Sequence, residues 1–208
     1  MRPFDDRVEA GRRLAARLDH LRGQDVVVLG LPRGGVPVAA EVARSLGAPL
    51  DVVVVRKLGV PEQPELAMGA IGEDGFRVLD PEGPAMTRVP PERRAEVERR
   101  ERAVLDARVD ALRAHRPRLP LVGRTAVIVD DGIATGSTVR VACLVTRHLG
   151  AARVVVAVPV APRDVTAGLL GCDELVTVAT PSPFLAVGYH YADFSATSDA
   201  EVLRLLGG

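Results

Sequence analysis

Runs of mostly β-branched apolar residues recur along the chain, at Asp25 to Gly30, Asp51 to Val55, Arg124 to Val129, Arg153 to Val158 and Glu174 to Val178. They lack the polar alternation of a strand with one wet face, so they predict strands covered on both faces. Helical periods fall between several of them. Residues 6 to 22 bring Val8, Leu14, Leu18 and Leu21 near one face. Pro37 to Leu46 has proline at its N-terminal end and Gly47 closing it. Ser137 to Leu149 finishes on Arg147 and His148 with Gly150 beyond, which suits a helix C-terminus. Strands that alternate with helices and are buried on both sides predict an α/β fold built on a parallel, doubly wound sheet.

The interval from Lys57 to Arg124 is too long for a simple crossover. Its first half is punctuated by Gly and Pro, and GEDG reads as a turn between two extended segments, Ala67 to Ile71 and Phe76 to Leu79. Its second half, from Pro90 to about His115, predicts a long helix with Val97, Val104, Leu105, Val109 and Leu112 on its apolar side. The charge run RRAEVERRERA on that helix reads as a solvated face with i,i+4 ion pairs rather than a binding patch. The chain is thus expected to be one domain: a Rossmann-like parallel five-stranded sheet flanked by helices over about 24–179, an insertion at about 57–123 and a tail at about 180–208. In that tail Phe184, Tyr189, Tyr191 and Phe194 concentrate most of the aromatic side chains, as either a satellite core or a platform for a planar ligand.

Composition narrows the partners. Lys plus Arg and Asp plus Glu both number 27, so the formal net charge is zero and there is no general electrostatic case for nucleic acid or membrane. Cys143 and Cys172 lack metal-ligand spacing and are expected to be buried free thiols. A charged N-terminus and the lack of a membrane-length apolar run predict a cytoplasmic protein.

The chemistry centres on VIVDDGIATGST, Val127 to Thr138. The strand ends at Asp130 and Asp131, at the carboxyl end where open parallel sheets bind ligands. Two adjacent carboxylates repel, so such a pair calls for hydroxyls or a cation, and a ribose diol offers two donors. Gly132, Ile133, Ala134, Thr135, Gly136, Ser137 and Thr138 then form a tight, hydroxyl-rich loop at a helix N-terminus, the place for a phosphate. A Walker loop or dinucleotide fingerprint is absent from the sequence.

The segment resembles the PRPP-binding signature of the type I phosphoribosyltransferases, with Asp130, Asp131, Thr135, Gly136 and Thr138 in the matching places. Two further stretches resemble the same family. LPRGGVP, after the first strand, is similar to its pyrophosphate loop, with Arg33 matched to phosphate oxygens and Gly34 and Gly35 allowing close backbone approach. Arg56 and Lys57, directly after the second strand, resemble the basic pair used against pyrophosphate. As a whole the chain is similar to a group of bacterial phosphoribosyltransferase-like proteins carrying RGG, VRKLG, ELAMGAIG and a YxDF-type tail.

That resemblance implies a glycosyltransferase moving the 5-phosphoribosyl group from PRPP to a nitrogenous acceptor, a nucleobase being the class expected, with release of pyrophosphate. Catalysis would rest on Lys57, Arg33, Asp130 and Asp131, with Mg²⁺ bound through PRPP and no direct protein ligand. It also implies a flexible cover, placed at Gly59 to Gly75, a hood from the tail, and a homodimer. Acceptor signals disagree. Ala134 stands where 6-oxopurine enzymes carry an Asp and so resembles adenine and uracil transferases, whereas Phe184, Val187, Gly188, Tyr189 and Asp193 resemble the hypoxanthine-guanine hood. The lysine those enzymes use has only Arg163 near its place. The alternative is a non-catalytic regulator that binds PRPP or a nucleotide.

Overall fold

The computed structural model describes residues 4–79, 89–114 and 116–207; His115, the expected end of the long helix, and Gly208, the last of the tail, lie outside them. The strands are β1 Val26–Gly30, β2 Leu50–Val52, β3 Val55–Val60, β4 Gln63–Gly72, β5 Arg77–Leu79, β6 Thr125–Val129, β7 Arg153–Val160 and β8 Glu174–Ala179. The helices are α1 Arg7–Ala15, α2 Gly35–Leu46, α3 Pro91–Arg113, α4 Ser137–His148, α5 Ala167–Leu170 and α6 Asp199–Leu206. The chain divides into two compact units, Met1–Val53 with Leu119–Gly208, and Val54–Arg118.

The first unit holds the expected parallel sheet, in the order β2-β1-β6-β7-β8. Every residue of β1 is buried, and only the first residue of β6 and of β7 is not, as the unbroken β-branched runs require. Leu14, Leu18 and Leu21 from the N-terminal segment and Val38, Val42 and Leu46 of α2 cover Val26, Val28, Val127 and Val129 on one face. The first helix stops at Ala15, short of the expected residue 22. Arg17 and Leu18 there donate to Leu14 and Ala15 three residues back, and a 3-10 turn follows at Asp19–Leu21. The tighter winding keeps Leu18 and Leu21 buried.

β2 ends at Val52 instead of Val55. Fully buried Asp51 turns its carboxylate onto the backbone, accepting from the N–H of Val52 at 2.8 Å and of Leu119 at 2.9 Å, and so satisfies amides at a sheet edge. In the tail a second 3-10 turn, Val187–His190, precedes α6. Ser198 caps that helix by accepting from the Glu201 N–H. The Ser-Asp-Ala-Glu string, 198–201, is a capping-box pattern.

The second unit is an antiparallel sheet, β3-β4-β5, with α3 packed on it. The expected extended segments are present as β4 and β5, joined through the Glu73–Gly75 turn, where Asp74 has φ 54°. Gly59 to Gly75, the segment expected to form the cover, is a paired hairpin, with Gly59 opposite Ala67 and Val60 opposite Gln63. Two carboxylates of α3 reach across to the sheet: Glu98 takes Arg77 and Glu101 takes Arg56, while Glu101 also meets Arg100 on its own helix. Both arginines of this sheet, Arg56 and Arg77, thus find a helix acid.

Glu73 is a buried charge of this unit, 5% exposed. It accepts from Arg113 Nε at 3.0 Å and from the Val54 N–H at 3.1 Å. Glu73→Ala removes a carboxylate from a buried cation and is expected to cost on the order of 3 kcal/mol. Urea unfolding checks it; a loss below about 1 kcal/mol would mean the pair is open to solvent.

Candidate functional site

The position of the site follows from sheet register. β1 and β6 run parallel with Val26 opposite Thr125 and Gly30 opposite Val129, so both strands run out together. Leu31 donates its N–H to the Val129 carbonyl at 2.9 Å, one step beyond the sheet. The RGG turn therefore begins beside the acid pair. The Pro32–Arg33 peptide is cis, a state the sequence alone could not reveal.

Gly34 and Gly35 are glycine because the acids stand against them. A Cβ on Gly35 would lie 2.6 Å from the Val129 carbonyl oxygen and 2.8 Å from Asp130 Cα. One on Gly34 would lie 2.1 Å from Asp131 Oδ2. The sequence suggested room for a bound anion; here the nearest anion is the protein's own carboxylate.

Asp130 accepts from the N–H of Asp131 at 2.9 Å. Burial, then the neighbouring Asp131 charge, pushes the Asp130 carboxyl well above the usual carboxylate range. Burial also raises Asp131, but the Arg7 guanidinium opposes the rise. Arg7 donates to Asp131 Oδ2 from Nε at 2.9 Å and contacts it through Nη2 at 2.8 Å. The Tyr191 hydroxyl donates to the Asp131 carbonyl at 2.6 Å, and burial and the nearby carboxylates raise its pKa, so it stays protonated as a donor. Arg7 was missed in the sequence. A lone arginine at the start of a helix has no motif, and its pairing spans 124 positions.

Beyond the acids the chain turns toward α4. Ile133 is buried and its N–H bonds the Val160 carbonyl, whereas Ala134, Thr135 and Thr138 are exposed. Among the described residues the backbone N–H groups of Ala134, Thr135 and Gly136 make no hydrogen bond. Thr135 Oγ1 and Ser137 Oγ lie 3.1 Å apart. Gly136 takes φ 76° directly before α4, which lets the loop turn its amides outward at a helix N-terminus. Its absent Cβ would also meet Leu170 at 2.9 Å.

The structure brings Arg33, Gly34, Gly35, Asp130, Asp131 and the 132–138 loop to one sheet edge. Arg33 is half-exposed, with Asp199 of α6 at 3.7 Å. The tail covers this edge: the Val187 methyls lie 2.6 and 2.9 Å from where a Gly132 Cβ would be. Tyr191 is core, packed with Phe4 at 5.4 Å between ring centres and with Ala10, Val160 and Ala179. Phe184 leans on that cluster and stacks on His190 at 5.4 Å. Tyr189 is 73% exposed. Asp193 turns its carboxylate to the Ser195 N–H. Arg163 bonds the Thr180 carbonyl.

Arg56 and Lys57 do not follow the second strand of the parallel sheet. They lie within β3 of the second unit, opposite Ile71 and Ala70. The run Val52 to Val55 reads as one strand in sequence, but the chain leaves the parallel sheet at Val53 and starts a new ladder at Val55. Arg56 Nε donates to Glu101 Oε2 at 2.9 Å. Cys143 and Cys172 are buried free thiols. Among the described residues there is no three-residue His, Cys, Asp or Glu cluster suited to a metal, and no helix long and apolar enough to cross a membrane.

A doubly wound parallel sheet with an acid pair and an amide-lined turn at its carboxyl edge places the chain among α/β proteins that receive ligands at that edge. Comparison with known proteins gives the family: the chain belongs to the phosphoribosyl transferase domain family, matched over residues 5–168. A provisionally named phosphoribosyl transferase of Mycobacterium tuberculosis is 58% identical over 207 residues, which are 99% of this chain and 47% of that protein. The chain thus spans about half the length of that relative. The crystal structure of a Thermus thermophilus protein, TT1426, is 46% identical with a TM-score of 0.87, covering 99% of this chain and 98% of that one. A hypoxanthine-guanine phosphoribosyltransferase from Bacillus anthracis, 11% identical with a TM-score of 0.51 over 88% of this chain and 83% of its own, shares the fold.

Proposed function

We propose that the protein transfers the 5-phosphoribosyl group of PRPP to a nitrogenous acceptor, with a nucleobase as the favoured class, and releases pyrophosphate. The observation that supports this most is the raised, burdened Asp130 beside Asp131 at the mouth of a loop with unpaired amides. An adjacent carboxylate pair at a strand end suits a ribose diol, and the loop suits a dianionic 5-phosphate. The donor would arrive with Mg²⁺, which when bound would offset charge on the pyrophosphate.

Arg33 would face the leaving pyrophosphate from the RGG turn, with Gly34 and Gly35 letting the backbone come close. Asp130 and Asp131 would hold the sugar hydroxyls and favour positive charge developing at C1. Positioning and electrostatics then do the chemistry, and no protein nucleophile is required. Phe184, Val187, Tyr189 and Asp193 would form the acceptor side, covering the reaction from water.

Titration calorimetry with Mg²⁺ and PRPP, then pyrophosphate release across free nucleobases and small amines, tests the reading. Base-dependent release supports transfer and names the acceptor. Binding without release across the panel replaces it with a PRPP-binding regulator, and absence of binding removes the donor. Phe184→Ala is expected to weaken the acceptor about tenfold while leaving PRPP affinity within about twofold. Equal loss of both would assign the ring to the satellite core alone.

A further inference from the structure

We propose that Arg7 is a positioning residue of this site: its guanidinium holds the Asp131 carboxylate by one oxygen and fastens the tail at 191–195 to it, so that the donor and acceptor sides form together. This rests on the reading of the edge as a PRPP site.

The geometry is specific. Arg7 and Asp131 side chains are 12% and 15% exposed, so the pair is largely shielded from water. Both Nε and Nη2 approach Oδ2, at 2.9 and 2.8 Å. Both Arg7 nitrogens take Oδ2, which leaves Oδ1 as the oxygen for a ligand hydroxyl. The third arm, Nη1, donates to the Ser195 carbonyl at 2.7 Å. The guanidinium plane also sits 4.1 Å from the Phe194 ring centre, with Tyr191 at 6.0 Å. Gly34 completes the arrangement, since a Cβ there would strike Asp131 Oδ2 and come within 3.3 Å of Arg7 Nε.

Helix stability does not account for this residue. Arg7 opens α1, whose N-terminus disfavours a cation, and Asp6 already supplies the cap. One guanidinium instead satisfies a carboxylate, a tail carbonyl and a ring at once, which an ammonium cannot do.

Arg7→Met and Arg7→Lys in the full chain test the proposal. Carboxyl-carbon NMR of the ligand-free protein reads Asp131, which is faced by Arg7, Asp130, the Tyr191 hydroxyl and, next to that ring, Glu9. Arg7→Met should move the Asp131 titration to higher pH and speed hydrogen exchange of the 191–195 amides. Arg7→Lys should largely restore the titration but not the exchange, because it keeps the charge and loses the reach to Ser195 and Phe194. Mg²⁺-PRPP affinity should fall about tenfold in Arg7→Met. Unchanged titration and exchange in folded Arg7→Met, or wild-type tail exchange in Arg7→Lys, overturns the proposal. A wild-type protein that ignores PRPP overturns the donor reading, while the ligand-free measurements still decide whether Arg7 ties carboxylate and tail together.

Discussion

Asp130→Asn combined with Asp131→Asn is expected to weaken Mg²⁺-PRPP binding at least about a hundredfold. Each change removes a charged acceptor from a hydroxyl contact worth about 1.5–3 kcal/mol. Calorimetric titration reads it directly, and retained affinity would remove the acid pair from the ligand. The single changes should part company in the ligand-free protein. Asp130 is raised by burial and by Asp131, so its charged form is unfavourable in the native state. Below the unfolded value both states are protonated and nothing is lost. As pH climbs from there to the raised native value, the unfolded chain releases its proton first, and stability falls with pH across that window. Asp130→Asn removes this slope. It should therefore raise the melting temperature at neutral pH and leave it near wild type in acid. An unchanged neutral melting temperature would show that Asp130 is not burdened. Asp131→Asn should destabilise instead, because Arg7 loses a shielded partner.

Gly35→Ala is expected to lower stability by about 1–3 kcal/mol or more, a fall of several degrees in melting temperature. The new methyl would meet the Val129 carbonyl and Asp130 Cα, both backbone atoms at the end of a central strand, and neither can step aside without moving the sheet. Gly34→Ala differs in kind. Its methyl meets the tip of the Asp131 side chain, which can swing away only by leaving Arg7. The first variant should lose stability and the second chiefly ligand affinity, so paired thermal and calorimetric measurements separate them. A Gly35→Ala protein that melts like wild type would mean the turn stands off the strand.

The same contrast explains what the sequence made legible. Buried parallel strands have to be apolar without interruption, so β1, β6 and β7 stood out, and the acids at the end of β6 were visible as the first polar break; β8, at the sheet edge, is mostly half-buried rather than covered on both faces. Neighbours in sequence, such as Asp130 with Gly136, needed only local reasoning. Arg56 and Lys57 misled because the valines before them hide the boundary between two sheets, a boundary decided by pairing with distant residues. Arg7 was illegible for the same reason, since its role exists only after opposite ends of the chain meet, whereas Tyr191 could be read as satellite core but not as a partner of Asp131. Ser198 was legible and passed over.

Phe4 bridges to Tyr191, and Arg7 reaches Ser195, 188 positions along the chain. Contacts of such sequence separation close late and slowly, after the local helices and central strands have formed. On the ribosome the acid pair would emerge and find its strand neighbours well before residue 195 leaves the tunnel. Newly made chains would then pass through a stage with a sound sheet and an uncovered acid pair, so a stability assay and a binding assay would date maturation differently.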